Sequence, residues 1–84
     1  MEIYVGNLPS QVNTSQLTAL FQQYGKVTAA RMITDKFSGV SRGFGFVAMP
    51  EREEAVGAIS AIAGQEFQGK MLDVREALTQ SHYK

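Results

Sequence analysis

The sequence predicts an α+β two-layer sandwich: a four-stranded antiparallel sheet in the order βαββαβ, with two helices on one face. Three observations predict it. Two segments place apolar residues at helical spacing between capping and breaking residues, and four other segments are rich in β-branched and aromatic side chains. A length of 84 residues makes one small domain, residues 1–84, with a core over about 2–77 and a short tail at 78–84. Two helices suffice to cover one side of such a sheet, and apart from the tail nothing remains to cover the other.

Each element has its own signals. Residues 2–8, EIYVGNL, read as the first strand and end at the turn signal Asn7-Leu8-Pro9-Ser10. A helix follows with Asn13 as N-cap and Gln16 three residues on, a capping-box arrangement. Leu17, Leu20, Phe21 and Tyr24 form its apolar stripe. Gly25 stands where a C-cap glycine belongs. Residues 27–34, VTAARMIT, make the second strand, and DKFSGVS supplies Asp35, Ser38 and Gly39 as turn residues of a long hairpin loop. Residues 42–49, RGFGFVAM, make the third strand.

Pro50 ends that strand and opens a second helix. Glu51, Glu53 and Glu54 suit its positive N-terminus, while Ala55, Ala58, Ile59 and Ile62 form its buried stripe. Gly57 weakens this helix by about 1 kcal/mol relative to alanine and is expected to permit close packing. After Gly64, a turn with Phe67 and Gly69 leads to the fourth strand, MLDVRE at residues 71–76.

Composition narrows the chemistry. The chain has no cysteine, so neither a disulfide framework nor a thiolate metal site is expected. A lone histidine, His82, has no partners for metal ligation and reads as a solvated tail residue. No cofactor and no metal are expected. Eight Lys and Arg balance eight Asp and Glu, which argues against a protein that holds duplex DNA mainly through its phosphates. A partner held by stacking is compatible with zero net charge. The chain opens on Met1 and reaches EIYVGNL without a basic leader and apolar run, and no apolar stretch approaches the ~20 residues of a membrane span. A cytoplasmic address is the default expectation.

Facing decides function, because successive side chains of a strand point to opposite sides. In the fourth strand Leu72 and Val74 belong inside, with Asp73 and Arg75 outside. In the first, Ile3 and Val5 suit the packed side and Tyr4 then points to the open face. In the second, Ala30 and Met32 are the inward candidates, with Ala29, Arg31 and Ile33 outward. The third strand is ambiguous on its residues alone. Bulk would send Phe44 and Phe46 inside, yet Arg42 shares their face, and burying an unpaired charge is costly. The opposite set supplies Val47 and Met49 for the core, with Gly43 and Gly45 where backbone approaches closely.

A resemblance resolves this ambiguity. Ile3-Tyr4-Val5-Gly6-Asn7-Leu8 resembles the hexapeptide motif, and Arg42-Gly43-Phe44-Gly45-Phe46-Val47-Ala48-Met49 the octapeptide motif, of the RNA recognition motif (RRM, the ribonucleoprotein domain) family. Similarity runs from Ile3 to about Ala77 and looks like the short, stand-alone bacterial members. It implies a βαββαβ ferredoxin-like fold and a single-stranded RNA-binding module that stacks bases on Tyr4, Phe44 and Phe46. Arg42 and Arg31 on the same face, and Arg75 on the fourth strand, are the expected phosphate or base-edge contacts; Asn7 serves either turn chemistry or contact. The octapeptide of the family usually ends in Phe or Tyr, whereas here it ends in Met49, which belongs to the inward set.

Two other readings stay open at this level. The aromatic face could bury against a protein partner or take single-stranded DNA, although a monomer is expected. An enzyme is disfavoured: no histidine stands near a carboxylate or nucleophile, and Gly43-x-Gly45 lies within a strand without the third glycine and helix start of a phosphate loop. In the tail, Leu78 and Tyr83 could fold over the sheet or leave it open.

Overall fold

The structure, a computed structural model, describes residues 1–39 and 41–77, with the side chains of residues 41 and 42 excepted. The expectations for Leu78, His82 and Tyr83 fall outside the described residues. Along the chain run β1 (Glu2–Gly6), α1 (Thr14–Gln22), β2 (Ala29–Thr34), β3 (Ser41–Ala48), α2 (Arg52–Ile62), β4 (Glu66–Phe67), β5 (Lys70–Met71) and β6 (Asp73–Glu76). The four longer strands form one sheet in the order β2-β3-β1-β6, and every neighbouring pair is antiparallel.

One face of this sheet is dry. Ile3 and Val5 of β1 and Val47 of β3 are fully buried, as are Leu17 and Phe21 of α1 and Ala55, Ala58 and Ile62 of α2. Val74 of β6, Leu72 and Met49 complete that layer, with Ala30 and Met32 of β2 packed on its margin. α1 lies over β2 and β3, and α2 lies against β6. The inward residue at the end of the octapeptide, Met49, is wholly enclosed, so its departure from the family pattern stays within the core.

Local chemistry shapes the element ends. The Asn13 side chain accepts from the Gln16 N–H at 2.8 Å while the Gln16 side chain accepts from the Asn13 N–H at 3.0 Å, closing the capping box. α1 stops at Gln22 with Gln23 as its C-cap, so Tyr24 and Gly25 lie in the turn beyond it instead of in the last helical turn. Gly25 is needed there for a different reason: a Cβ would run into the Glu54 side chain. Glu54 Oε1 accepts from the Lys26 N–H at 3.0 Å, which ties the start of α2 to the loop before β2.

β1 ends at Gly6, short of the expected residue 8, because Asn7 adopts a left-handed φ of 59°. Its Nδ2 donates to the Met71 carbonyl at 2.6 Å. The expected fourth strand also divides. Met71 belongs to a separate hairpin, β4–β5, whose two-residue turn holds Gln68 (φ 52°) and Gly69 (φ 90°) at the positive angles of a type I′ turn. Leu72 then turns into the core, with its N–H donating to Gln65 and its carbonyl accepting from Gly64, before β6 begins at Asp73. Strand alternation around residues 71–76 carries no sign of this break.

Gly57 corrects the packing expected of it. It is exposed, and nothing lies within 4 Å of where a Cβ would stand, so it brings no element closer to α2. Gly57→Ala is therefore expected to raise stability by about 0.5–1 kcal/mol, measured as a higher urea midpoint at unchanged slope. Asn7→Ala, which loses the tie to Met71 and places alanine in the left-handed region, is expected to lower stability by about 1–2 kcal/mol in the same assay.

Candidate nucleic-acid interface

Burying Ile3, Val5 and Val47 under the helices obliges their neighbours in β1 and β3 to face the other way. Tyr4, Phe44 and Phe46 accordingly stand outside the core on the side of the sheet that neither helix covers, each half-buried. Their ring centroids lie 5.9 Å apart for Tyr4–Phe44, 5.9 Å for Tyr4–Phe46 and 6.3 Å for Phe44–Phe46. The two phenylalanines meet edge to face at 89°, and Tyr4 tilts only 32° from Phe44. Such geometry suits aromatic quadrupoles and holds each ring without hiding its outer surface.

Cross-strand register builds a row through the middle of this face. Arg31 of β2 lies opposite Phe46, Phe46 opposite Tyr4, and Tyr4 opposite Arg75 of β6. The Arg31 guanidinium carbon is 5.1 Å from the Phe46 ring centroid, and that of Arg75 is 5.1 Å from the Tyr4 centroid. Two cations thus flank two rings. At exposed sites such contacts are worth about 0.5–1 kcal/mol each, less than a stacked base at about 1–3, so a base can displace them or share the ring.

Arg75 also donates to Asp73 Oδ2 at 3.2 Å. Both side chains are more than half exposed, so the pair steers the guanidinium more than it stabilises the fold. The acidic residues Glu53 and Glu54 occupy the first turn of α2, in the helical layer. Zero net charge therefore conceals a guanidinium at either edge of the aromatic row. Arg42 belongs to β3, and its side chain lies outside the described residues. Asn7 stands exposed at the end of β1 with its amide nitrogen engaged by Met71.

Some neighbours of these residues were not singled out by the sequence reading. Gly6 shares the face of Tyr4, and a Cβ there would collide with the Tyr4 ring, so the absence of a side chain lets the tyrosine lie down over the strand. Gly45, by contrast, was expected from the sequence where backbone approaches closely, and it acts so on the opposite face, where a Cβ would meet the Arg31 carbonyl and sit 3.3 Å from Leu17 Cδ2; it lets α1 close on β3. Glu2 shares the face of Tyr4 one step along β1, opposite Ala48, and its Oε1 is buried without a hydrogen-bond partner. Simple alternation along β1 was enough to find Gly6 and Glu2.

The β2–β3 loop adds an apolar projection. Asp35 Oδ1 accepts from the N–H groups of Phe37 (2.8 Å) and Ser38 (3.1 Å), an Asx turn that leaves the Phe37 side chain 92% exposed. A ring so exposed is apolar surface open to a partner. Among the described residues, no group of three or more His, Cys, Asp or Glu side chains could hold a metal ion, and no helix is long and apolar enough to cross a membrane.

Comparison with known proteins gives the same architecture. The chain matches the model of the RNA recognition motif over residues 3–73. It is 44% identical over 77 residues to the RNA-binding protein RbpA of Synechocystis, covering 92% of this chain and 76% of that protein. It is 48% identical over 75 residues to the chloroplast 28 kDa ribonucleoprotein of Spinacia oleracea, covering 89% of this chain and 32% of that protein. The chain thus spans about a third or less of the chloroplast proteins it matches. Among solved structures, RNA binding protein PG1 superposes with a TM-score of 0.92 at 55% identity, over 95% of this chain and 96% of that one. An Sxl-lethal protein/RNA complex superposes with a TM-score of 0.86 at 38% identity, over 90% of this chain and 47% of that one. The chain belongs to the RNA recognition motif family.

Proposed function

We propose that this domain binds single-stranded RNA on the uncovered face of its sheet, as a monomer and a binding module rather than an enzyme, with no metal or cofactor. The observation that carries the reading is the contiguous trio of Tyr4, Phe44 and Phe46, ring centroids 5.9–6.3 Å apart, on the side that neither helix covers. Bases stack on these rings, and the unpaired edges of single-stranded RNA stay available for hydrogen bonding. Arg31 and Arg75 take phosphates or base edges at the two sides of the row, with Arg42 as a third cation. Asn7 contributes through the turn that it ties to Met71.

The relatives support the reading: RbpA bears the name of an RNA-binding protein, the spinach protein that of a ribonucleoprotein, and the Sxl-lethal structure is a complex with RNA. The cyanobacterial relatives also favour a bacterial, cytoplasmic setting. Single-stranded DNA offers the same π-faces, and parallel titrations of RNA and DNA strands of one sequence rank the two.

Magnitudes set the strength of binding. Two or three stacked bases contribute roughly 2–9 kcal/mol, against an association cost of ~4–15 kcal/mol. Binding by this domain alone is accordingly weak and leans on polar contacts at the strand ends and on the Phe37 loop. Phe44→Ala is expected to weaken binding to a short single-stranded RNA roughly 5- to 150-fold in a fluorescence titration, with the amide spectrum of the fold intact. Equal affinity in the folded variant would remove the proposal. With few cations on the face, the plot of log affinity against log salt is expected to be shallow, no steeper than about −3; a slope near −6 would point to a phosphate-dominated contact elsewhere.

A further inference from the structure

We infer that Asp73 restrains this face: paired with Arg75, it holds the guanidinium over Tyr4 and withholds that cation from RNA until the pair opens. The inference rests on the RNA-binding reading above. Val74 is buried between them, so Asp73 and Arg75 point together to the side that neither helix covers. Register sets Arg75 opposite Tyr4 and Asp73 opposite Gly6. Gly6 has no side chain, and the Tyr4 ring lies where a Cβ would stand, so the ring runs along β1 beside both residues. Solvent reaches both of them. Their side chains are 67% and 53% exposed, open to a strand that lies down on the sheet.

Arg75 is held from two sides. Its Nη2 donates to Asp73 Oδ2 at 3.2 Å, and its guanidinium carbon stands 5.1 Å from the Tyr4 ring centroid. An arginine side chain free in water samples many rotamers, and each of these contacts removes some of them. Arg31 is the internal contrast. It lies over Phe46 at the same 5.1 Å, yet among the described residues no carboxylate pairs with it. The two ends of the row thus carry the same cation over an aromatic ring, and the β6 end adds an acid.

Two costs follow for a strand arriving at the β6 end. A base that stacks on Tyr4 competes with the guanidinium for the ring. A phosphate that takes the Arg75 fork competes with the Asp73 carboxylate for the same N–H groups. While the pair is closed its charges cancel, and a neutral pair releases no counterion from the RNA backbone. Arg31 meets a strand as a full charge; Arg75 does so only at the expense of Asp73.

The test compares the unaltered chain with Asp73→Ala, Arg75→Gln and the double variant, each titrated over a range of salt with a short fluorescein-labelled RNA strand carrying all four bases. Amide spectra report whether each is folded. Asp73→Ala is expected to bind about threefold more tightly at low salt, with a plot of log affinity against log salt steeper by about 0.7, the share of one further phosphate. In the Arg75→Gln background the same change is expected to gain about 1.5-fold or less, because the cation it would release is gone. In the free protein, the side-chain proton signals of Arg75, shifted upfield by the Tyr4 ring, are expected to move toward their ordinary position in Asp73→Ala. Unmoved Arg75 signals, or binding by Asp73→Ala that is unchanged or weaker, overturn the inference. An equal gain in the Arg75→Gln background also overturns it, since Asp73 would then act by simple repulsion of phosphate. Each of these results leaves the stacking platform in place so long as the unaltered chain binds the strand. Failure of the unaltered chain to bind overturns both readings together.

Discussion

The outer face follows from the antiparallel pairing of β1 with β3, in which Ile3 lies opposite Val47 and Tyr4 opposite Phe46. Two strands in this register contribute one dry row and one aromatic row, and both helices of the described residues pack on the dry one. Burying Ile3, Val5 and Val47 against α1 and α2 is worth about 1.5–3 kcal/mol for each side chain. That gain fixes the aromatic row outside. A shift of one residue in either strand would exchange the two faces and expose the core. The same packing that makes the fold stable therefore makes the proposed binding surface, and neither can be changed alone.

Electrostatics refine this surface without creating it. The chain carries no net charge, yet the guanidiniums of Arg31 and Arg75 stand at the two ends of the aromatic row while two glutamates occupy the first turn of α2 on the opposite layer. Arginine is suited to both roles open to it here, since its planar group lies flat over a ring in the free protein and forks to phosphate or base edge in a complex. Asp73 holds Arg75 near Tyr4 and places an acceptor on the face. A surface that combines flat apolar rings with separated donors and acceptors reads base identity better than one built on phosphate attraction, which carries no sequence information.

The supporting shell lies in turns. Gly6 gives Tyr4 room to lie along β1, and Gly45 gives α1 room to approach β3. Asn7 in its left-handed conformation links the end of β1 to the β4–β5 hairpin, so the chain leaving α2 is aligned before it enters the edge strand β6. Glu54 performs a similar task at the other end of the sheet by holding the loop before β2. The acidic cluster at the start of α2 thus divides in two: Glu54 is a structural acceptor as well as a partner of the helix N-terminus, whereas Glu51, at the N-cap, makes no side-chain capping bond.

Local patterns determined a large part of this protein. The capping box of Asn13 and Gln16, the inward facing of Val74 between Asp73 and Arg75, and the helical spacing of Ala55, Ala58 and Ile62 each act over a few residues, and each stands where the sequence placed it. The facing of Phe44 and Phe46 was legible only with the family motif in hand, because bulk and charge pull that strand in opposite directions. What the tertiary structure alone decided involves partners distant in the chain. Asn7 meets Met71, Glu54 meets Lys26, Leu72 breaks the last strand to enter the core, and Gly57 turns out to face open solvent. The row Arg31–Phe46–Tyr4–Arg75 likewise needs four strands in register, a relation that becomes physical only when the helices have pressed one face of the sheet dry.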